Sequence, residues 1–261
     1  MRRAATTRAS GWLAGGLACA IGLAHSALGQ ETPAAEASGW SFRASVYLWT
    51  PSADASVETD RGNLKTDASA SDLISQLDGA FMGTLEGQRD RWGFLVDIVY
   101  VDLSQKEGTP FGDLYSHARL QNRLGAFSGY LGYRVHQDQR ATVDLLAGGR
   151  IFNLNSEVSL SPGRLRGRTD QLNETWIDPL AGVRGRLAIT DHWFATAAAD
   201  VGGTSLGSDF TWQYLATAGY QVDDRWSVQA GWRYLDVEKR ISGRDTSLQL
   251  SGPIFGVSFK F

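Results

Sequence analysis

From Phe210 to Val222 the chain alternates with period two. Phe210, Trp212, Tyr214, Ala216, Ala218, Tyr220 and Val222 are apolar or aromatic, and Thr211, Gln213, Leu215, Thr217, Gly219 and Gln221, a mostly polar set, fall between them. Successive side chains of a β-strand point to opposite faces, so this spacing gives an extended segment one apolar and one polar face. A helix would scatter the same residues around its circumference. The pattern recurs in Trp226, Val228, Ala230, Trp232 and Tyr234, and earlier in Trp40, Phe42, Ala44, Val46 and Leu48. Strands with one face toward lipid and the other toward an enclosed polar interior account for it.

Short polar connections fall near 89–91, 136–140, 190–192 and 223–225; longer ones, bearing Gly, Ser and Asp, fall near 51–79, 105–115, 158–172, 204–209 and 241–246. The two kinds alternate, as they do when tight turns lie at one end of a membrane barrel and long loops at the other. The intervening strands are 40–50, 80–89, 92–104, 116–135, 141–157, 173–189, 193–203, 210–222, 226–240 and 247–261. This predicts an all-β fold, a closed antiparallel transmembrane β-barrel of ten strands, with twelve or eight as alternatives. The twelve-stranded version would use hairpins around Arg61-Gly62-Asn63 and Ser161-Pro162-Gly163. Ser71 to Leu77 predicts a short capped helix in the first external loop, with Leu73, Ile74 and Leu77 on one face. It would cap the rim or tuck into the lumen. Trp92, Trp193 and Trp226 each follow a charged turn, and with Trp40 they predict an aromatic belt at one membrane–water interface. Apolar residues change phase at Gly252-Pro253 and near Ala126-Phe127, which predicts a β-bulge at each.

The first residues carry a different pattern. Arg2, Arg3 and Arg8 precede an apolar stretch from Trp12 to Ala24, and small residues lead to Ala27-Leu28-Gly29. These features predict a cleaved secretory signal over 1–29, a short segment over 30–39 and the barrel over 40–261. The apolar core is shorter than the roughly 20 residues of a spanning helix, which argues against an uncleaved anchor. Gly16 and the short apolar run before Cys19 argue against a lipoprotein signal. Cleavage would remove Cys19, the single cysteine, and with it any disulfide or thiolate chemistry. It would also remove three basic and no acidic residues, taking the net charge from −3 to −6 and arguing against nucleic acid as a partner.

The sequence ends Phe255-Gly256-Val257-Ser258-Phe259-Lys260-Phe261, with apolar side chains at alternate positions and a terminal phenylalanine. This resembles the C-terminal signature of bacterial outer-membrane β-barrel proteins. The resemblance implies a Gram-negative cell outer membrane as location and its lipid as surroundings. It also implies recognition of Val257, Phe259 and Phe261 by the barrel-assembly machinery. It implies no activity.

Strand phase assigns the lumen-facing charges Arg43, Glu86, Asp97, Arg119, Arg123, Asp144, Arg150, Asp178, Arg184, Arg186, Arg233 and Lys260, among which basic residues predominate. On the lipid face an Arg or Lys would cost about 2–4 kcal/mol at mid-membrane. Paired across a narrow lumen, they make a salt-bridged plug in a barrel with a structural or surface-interaction role. Unpaired, they would line a narrow porin-like channel for small anionic solutes. About eight strands leave a barrel just filled by side chains, and channels use about sixteen, so ten lies toward closure. The third reading is a hydrolase at the external rim, where Asp113, Ser116 and His117 gather. Adjacent strand residues point to opposite faces, which separates Ser116 from His117, and the cluster matches neither the omptin proteases nor the lipid A deacylases. His136 and His192 fall in short turns, at the other end. Asp54, Asp60 and Asp67 lack the spacing of a calcium loop. The expected molecule is a monomer without catalytic residues, cofactor or metal.

Overall fold

A computed structural model describes residues 39–59, 62–107, 115–204, 207–241 and 243–261. The expected signal over 1–29 and the segment up to 38 lie outside the described residues. The elements are β1 (Ser41–Trp49), β2 (Ser52–Thr59), β3 (Gly62–Ala68), α1 (Ala70–Ser75), β4 (Leu77–Arg89), β5 (Trp92–Glu107) and β6 (Tyr115–Gln137). They continue with β7 (Ala141–Pro162), β8 (Arg168–Ala188), β9 (Trp193–Gly202), β10 (Phe210–Gln221), β11 (Trp226–Ile241) and β12 (Arg244–Lys260). Each strand pairs antiparallel with its neighbour in the order β1-β4-β5-β6-β7-β8-β9-β10-β11-β12, and β12 returns to β1 to close the barrel. The seam runs from Arg43 opposite Lys260 to Trp49 opposite Ile254. The ten predicted barrel strands are therefore the ten that form.

β2 and β3 are additions to that ring. β2 continues the line of β1 along β12, with Ser52 opposite Ser251, and the Thr50 N–H bridges the break by donating to the Pro253 carbonyl at 3.1 Å. β3 folds back on β2 and has no second strand neighbour, while β4 joins β1 only from Gly83 onward. The hairpin around Arg61-Gly62-Asn63 thus forms without turning the barrel twelve-stranded. α1 is short because only its N-terminus is built for it: Ser69 accepts from the Asp72 N–H, and the Asp72 carboxylate accepts from the Ser69 N–H. None of its residues is buried, so it sits outside the lumen.

Turn chemistry fixes the tight end. Asp90, at φ 52°, takes the left-handed conformation of a two-residue hairpin loop, which Asp tolerates better than most residues. Asp138 accepts from the Arg140 and Ala141 N–H groups, and Asp223 from those of Arg225 and Trp226. These donors hold both carboxyls below their ordinary pKa of 3.8. At the opposite end β6, β7 and β8 run on past the apolar zone. Their outward side chains there become polar, as in the Asn153–Thr175 bond of 2.8 Å and the Asn155–Asn173 bond. The connections predicted as loops at 158–172 and 241–246 are therefore largely strand, with β11 and β12 paired as far as Ile241 opposite Arg244.

The predicted belt lies at the turn end, facing outward: Trp92, Trp193 and Trp226 are each about half exposed. It is continuous across the seam through Trp226–Phe259, Phe259–Phe261, Phe261–Phe42 and Phe42–Trp40 ring contacts of 4.8 to 6.1 Å. Toward the loop end Trp212, Tyr214 and Tyr234 stack in a second group. Trp226 and Tyr234 lie eight residues apart on β11, which at the usual rise and tilt is about 20 Å, near the height of an outer-membrane apolar band.

Neither predicted bulge forms. Pairing of β12 with β11 runs unbroken through Gly252 and Pro253, and β6 keeps register with β5 from Ala118 to Tyr133. The apolar residues change phase because the lumen changes character. Leu250, Ile254 and Ala126 face inward, into an apolar layer filling the loop-end half of the lumen.

Candidate functional site

Inside the wall, side chains stack in three levels. The loop-end level is apolar: Trp49, Met82, Val99, Phe152, Leu235, Val237, Leu250 and Ile254 are each at most 7% exposed. Apart from the Trp49 indole N–H its side chains need no polar partners, which is why polar residues give way to apolar ones at the inward positions there.

The middle level is a girdle of charges tied across the lumen. Arg233 on β11 donates to Asp97 on β5 at 2.7 Å, and to Tyr47 Oη at 2.8 Å. Tyr47 in turn donates to Asp97 at 2.5 Å. Arg150 on β7 donates to Asp200 on β9 at 3.1 Å, to Tyr130 Oη and to Ser128 Oγ. Gln213 joins the two clusters, accepting from Arg233 at 3.0 Å and donating to Asp200 at 2.6 Å. Arg150 is fully buried and Arg233 is 5% exposed. Such charges persist only where most of their donors and acceptors are matched; Arg150 Nη1 is the one guanidinium nitrogen of the girdle buried without a partner among the described residues.

Beside Arg150, its register partner Asp178 on β8 accepts from the Ser208 N–H at 2.6 Å and from its hydroxyl at 2.7 Å, and the Trp176 indole donates to the same hydroxyl. Lys239 donates to the Gly207 carbonyl. Gly207 packs so closely that a Cβ would stand 2.1 Å from Asp178 Oδ1. Gly207 and Ser208 are thereby pinned against the inward side chains of β8.

The turn-end level is basic. Glu86 accepts from Arg184 at 2.8 Å and from Arg43 at 3.5 Å, and Arg134 holds Asp144 at 2.7 Å. Arg186 lies one inward position beyond Arg184 on β8, and Lys260 lies opposite Arg43. Between this level and the girdle is a cavity of about 90 Å³, lined by Glu86, Arg184, Asp97, Asp200, Arg233 and Thr217 among others. It would hold a few waters.

Ten of the residues expected in the lumen are there. Arg119 and Arg123 are not. Unbroken register from the buried Ser128 puts both on the outward face, where Arg123 pairs with Asp102 at 3.1 Å and its side chain is 45% exposed. Their assignment rested on the bulge at Ala126-Phe127, and without it their phase reverses. Asp200, Arg134, Tyr47, Tyr130 and Gln213 belong to the interior networks and were not predicted. Trp193 held the signal for Asp200: an odd residue facing outward makes Asp200 inward. Of the rim cluster, His117 is exposed, while Asp113 and the Ser116 side chain lie outside what is described. No group of three or more metal-ligating side chains occurs among the described residues.

The chain matches no protein-family model and no curated protein. It does match solved structures. One is the outer membrane protease OmpT from Escherichia coli, 10% identical, with a TM-score of 0.56 over 85% of this chain and 96% of that one. Others are the transport unit of the autotransporter AIDA-I from Escherichia coli (9% identity, TM-score 0.40, 88% and 92% coverage) and Ail of Yersinia pestis (10%, 0.34, 85% and 99%). The fold is that of the bacterial outer-membrane β-barrels. Within that class, this chain is a ten-stranded barrel carrying an extra hairpin at its loop end.

Proposed function

We propose that the protein resides in the outer membrane with its turns toward the periplasm, and acts there as a closed barrel whose role lies on its outer surface. One observation carries this reading: the apolar layer of Trp49, Met82, Val99, Phe152 and Leu250 fills the lumen above a cross-linked girdle. A solute path would have to cross packed side chains that are apolar apart from the Trp49 indole N–H and offer little to replace its hydration. The aromatic belt and the outward apolar band support the membrane placement, and the OmpT fold supports the outer-membrane class without lending its proteolysis.

Two measurements test it. In planar bilayers the refolded protein should stay silent at high protein load, whereas discrete, salt-dependent openings would make it a channel. In cells it should fractionate with the outer membrane and show heat-modifiable gel mobility; recovery as a soluble periplasmic protein refutes the placement.

A further inference from the structure

The turn end of the lumen holds more positive charge than its partners absorb. Arg43, Arg134, Arg184, Arg186 and Lys260 face inward there, against the carboxylates of Glu86 and Asp144. Glu86 is shared by Arg184 and Arg43, and Asp144 is engaged by Arg134. Arg186 is left over: no ion pair or hydrogen bond to it occurs among the described residues. Its guanidinium lies instead 3.6 Å from the centroid of the Phe194 ring. That ring is 5% exposed and packs over Gly219, where a Cβ would stand 2.1 Å from it. The platform under Arg186 is therefore fixed, and a guanidinium stacked on it keeps its planar fork of N–H donors unspent. Arg184 lies two residues from Arg186 on the same face of β8, and Arg43 reaches the same Glu86 that Arg184 does.

The surroundings favour an anion. Low-dielectric walls lined by one sign of charge focus the field within a cleft. This cleft is blind, because the girdle and the apolar layer close it above the cavity of about 90 Å³. A planar fork flanked by two further guanidinium groups fits the paired oxygens of a tetrahedral oxyanion better than a spherical halide.

We propose that this turn-end vestibule binds a small free oxyanion of the phosphate class, with Arg186 as the principal donor and Arg184 and Arg43 as flanking charges. The site does not depend on the surface role proposed above.

The test is calorimetric titration of the refolded barrel, in a phosphate-free detergent at low ionic strength, with inorganic phosphate against matched chloride. Saturable binding specific to phosphate is expected, and Arg186→Gln should weaken it by about tenfold or more, the scale of one lost charge-assisted fork. Arg168→Gln, in an exposed ion pair at the loop end, should bind like the parent. Absence of saturable binding up to millimolar phosphate overturns the proposal, as does unchanged binding by Arg186→Gln. Binding of a glycerol phosphodiester without inorganic phosphate also overturns it, since the ligand would then be a lipid headgroup. If Arg186→Gln does not refold, Arg43→Gln, at a side chain 28% exposed, must show the loss instead.

Discussion

At the scale of single residues, the girdle concentrates the consequences of substitution. Asp97 serves both Arg233 and Tyr47, and the Arg233 side chain is 6% exposed. Asp97→Asn should therefore destabilise the barrel by about 3–5 kcal/mol, the cost of leaving a buried charge without its partner. Urea unfolding of vesicle-inserted protein measures it. Arg123→Gln, on the exposed outer pair with Asp102, should leave the unfolding midpoint nearly unchanged. Equal losses at the two sites would mean that the girdle does not set stability. Of these networks the sequence shows the members but not the matches. Alternation places Arg43, Glu86, Asp97, Arg150 and Arg233 inward, yet Asp97 and Arg233 are far apart in the chain and meet only because closure sets β5 across from β11.

At the scale of elements, the tight turns carry a pH signature. Asp138 and Asp223 accept backbone N–H groups when ionised, so their folded pKa lies below the ordinary 3.8. A depressed folded pKa gives stability that is fully present above 3.8 and lost as pH falls through the lower folded value. Asp223→Ala should remove part of the acid dependence of unfolding below pH 4 while leaving the neutral-pH fold intact, read from unfolding midpoints across pH. An unaltered acid limb would show that the capped turn contributes nothing. Strand existence and the turn-end boundaries were legible because period two and turn residues are local signals; the loop-end boundaries were not, because the strands run on in polar residues. Phase in β6 and β12 was not, because an apolar lumen and a bulge leave the same trace in sequence. Leu250 and Ile254 carry the same hydrophobicity whether they face lipid or core.

At the scale of the whole molecule, closure belongs to the β1–β12 seam, and the β2–β3 hairpin stands beyond it. Deleting Ala53–Ala68 should leave a closed, heat-modifiable barrel, checked by gel mobility and far-ultraviolet circular dichroism. Loss of the folded band would place the hairpin inside the closure. The sequence by itself determined the ten strands, the outward faces of those whose alternation is unbroken, and the barrel class, because each follows from local periodicity and the chemistry of interfaces. Only the tertiary structure decided that the lumen is apolar at one end and basic at the other, that Ser208 packs onto Asp178, and that Arg186 has no ion-pair partner among the described residues. Those properties arise from side chains on non-neighbouring strands, brought within bonding distance by the curvature of a closed sheet, and no spacing along the chain encodes that distance.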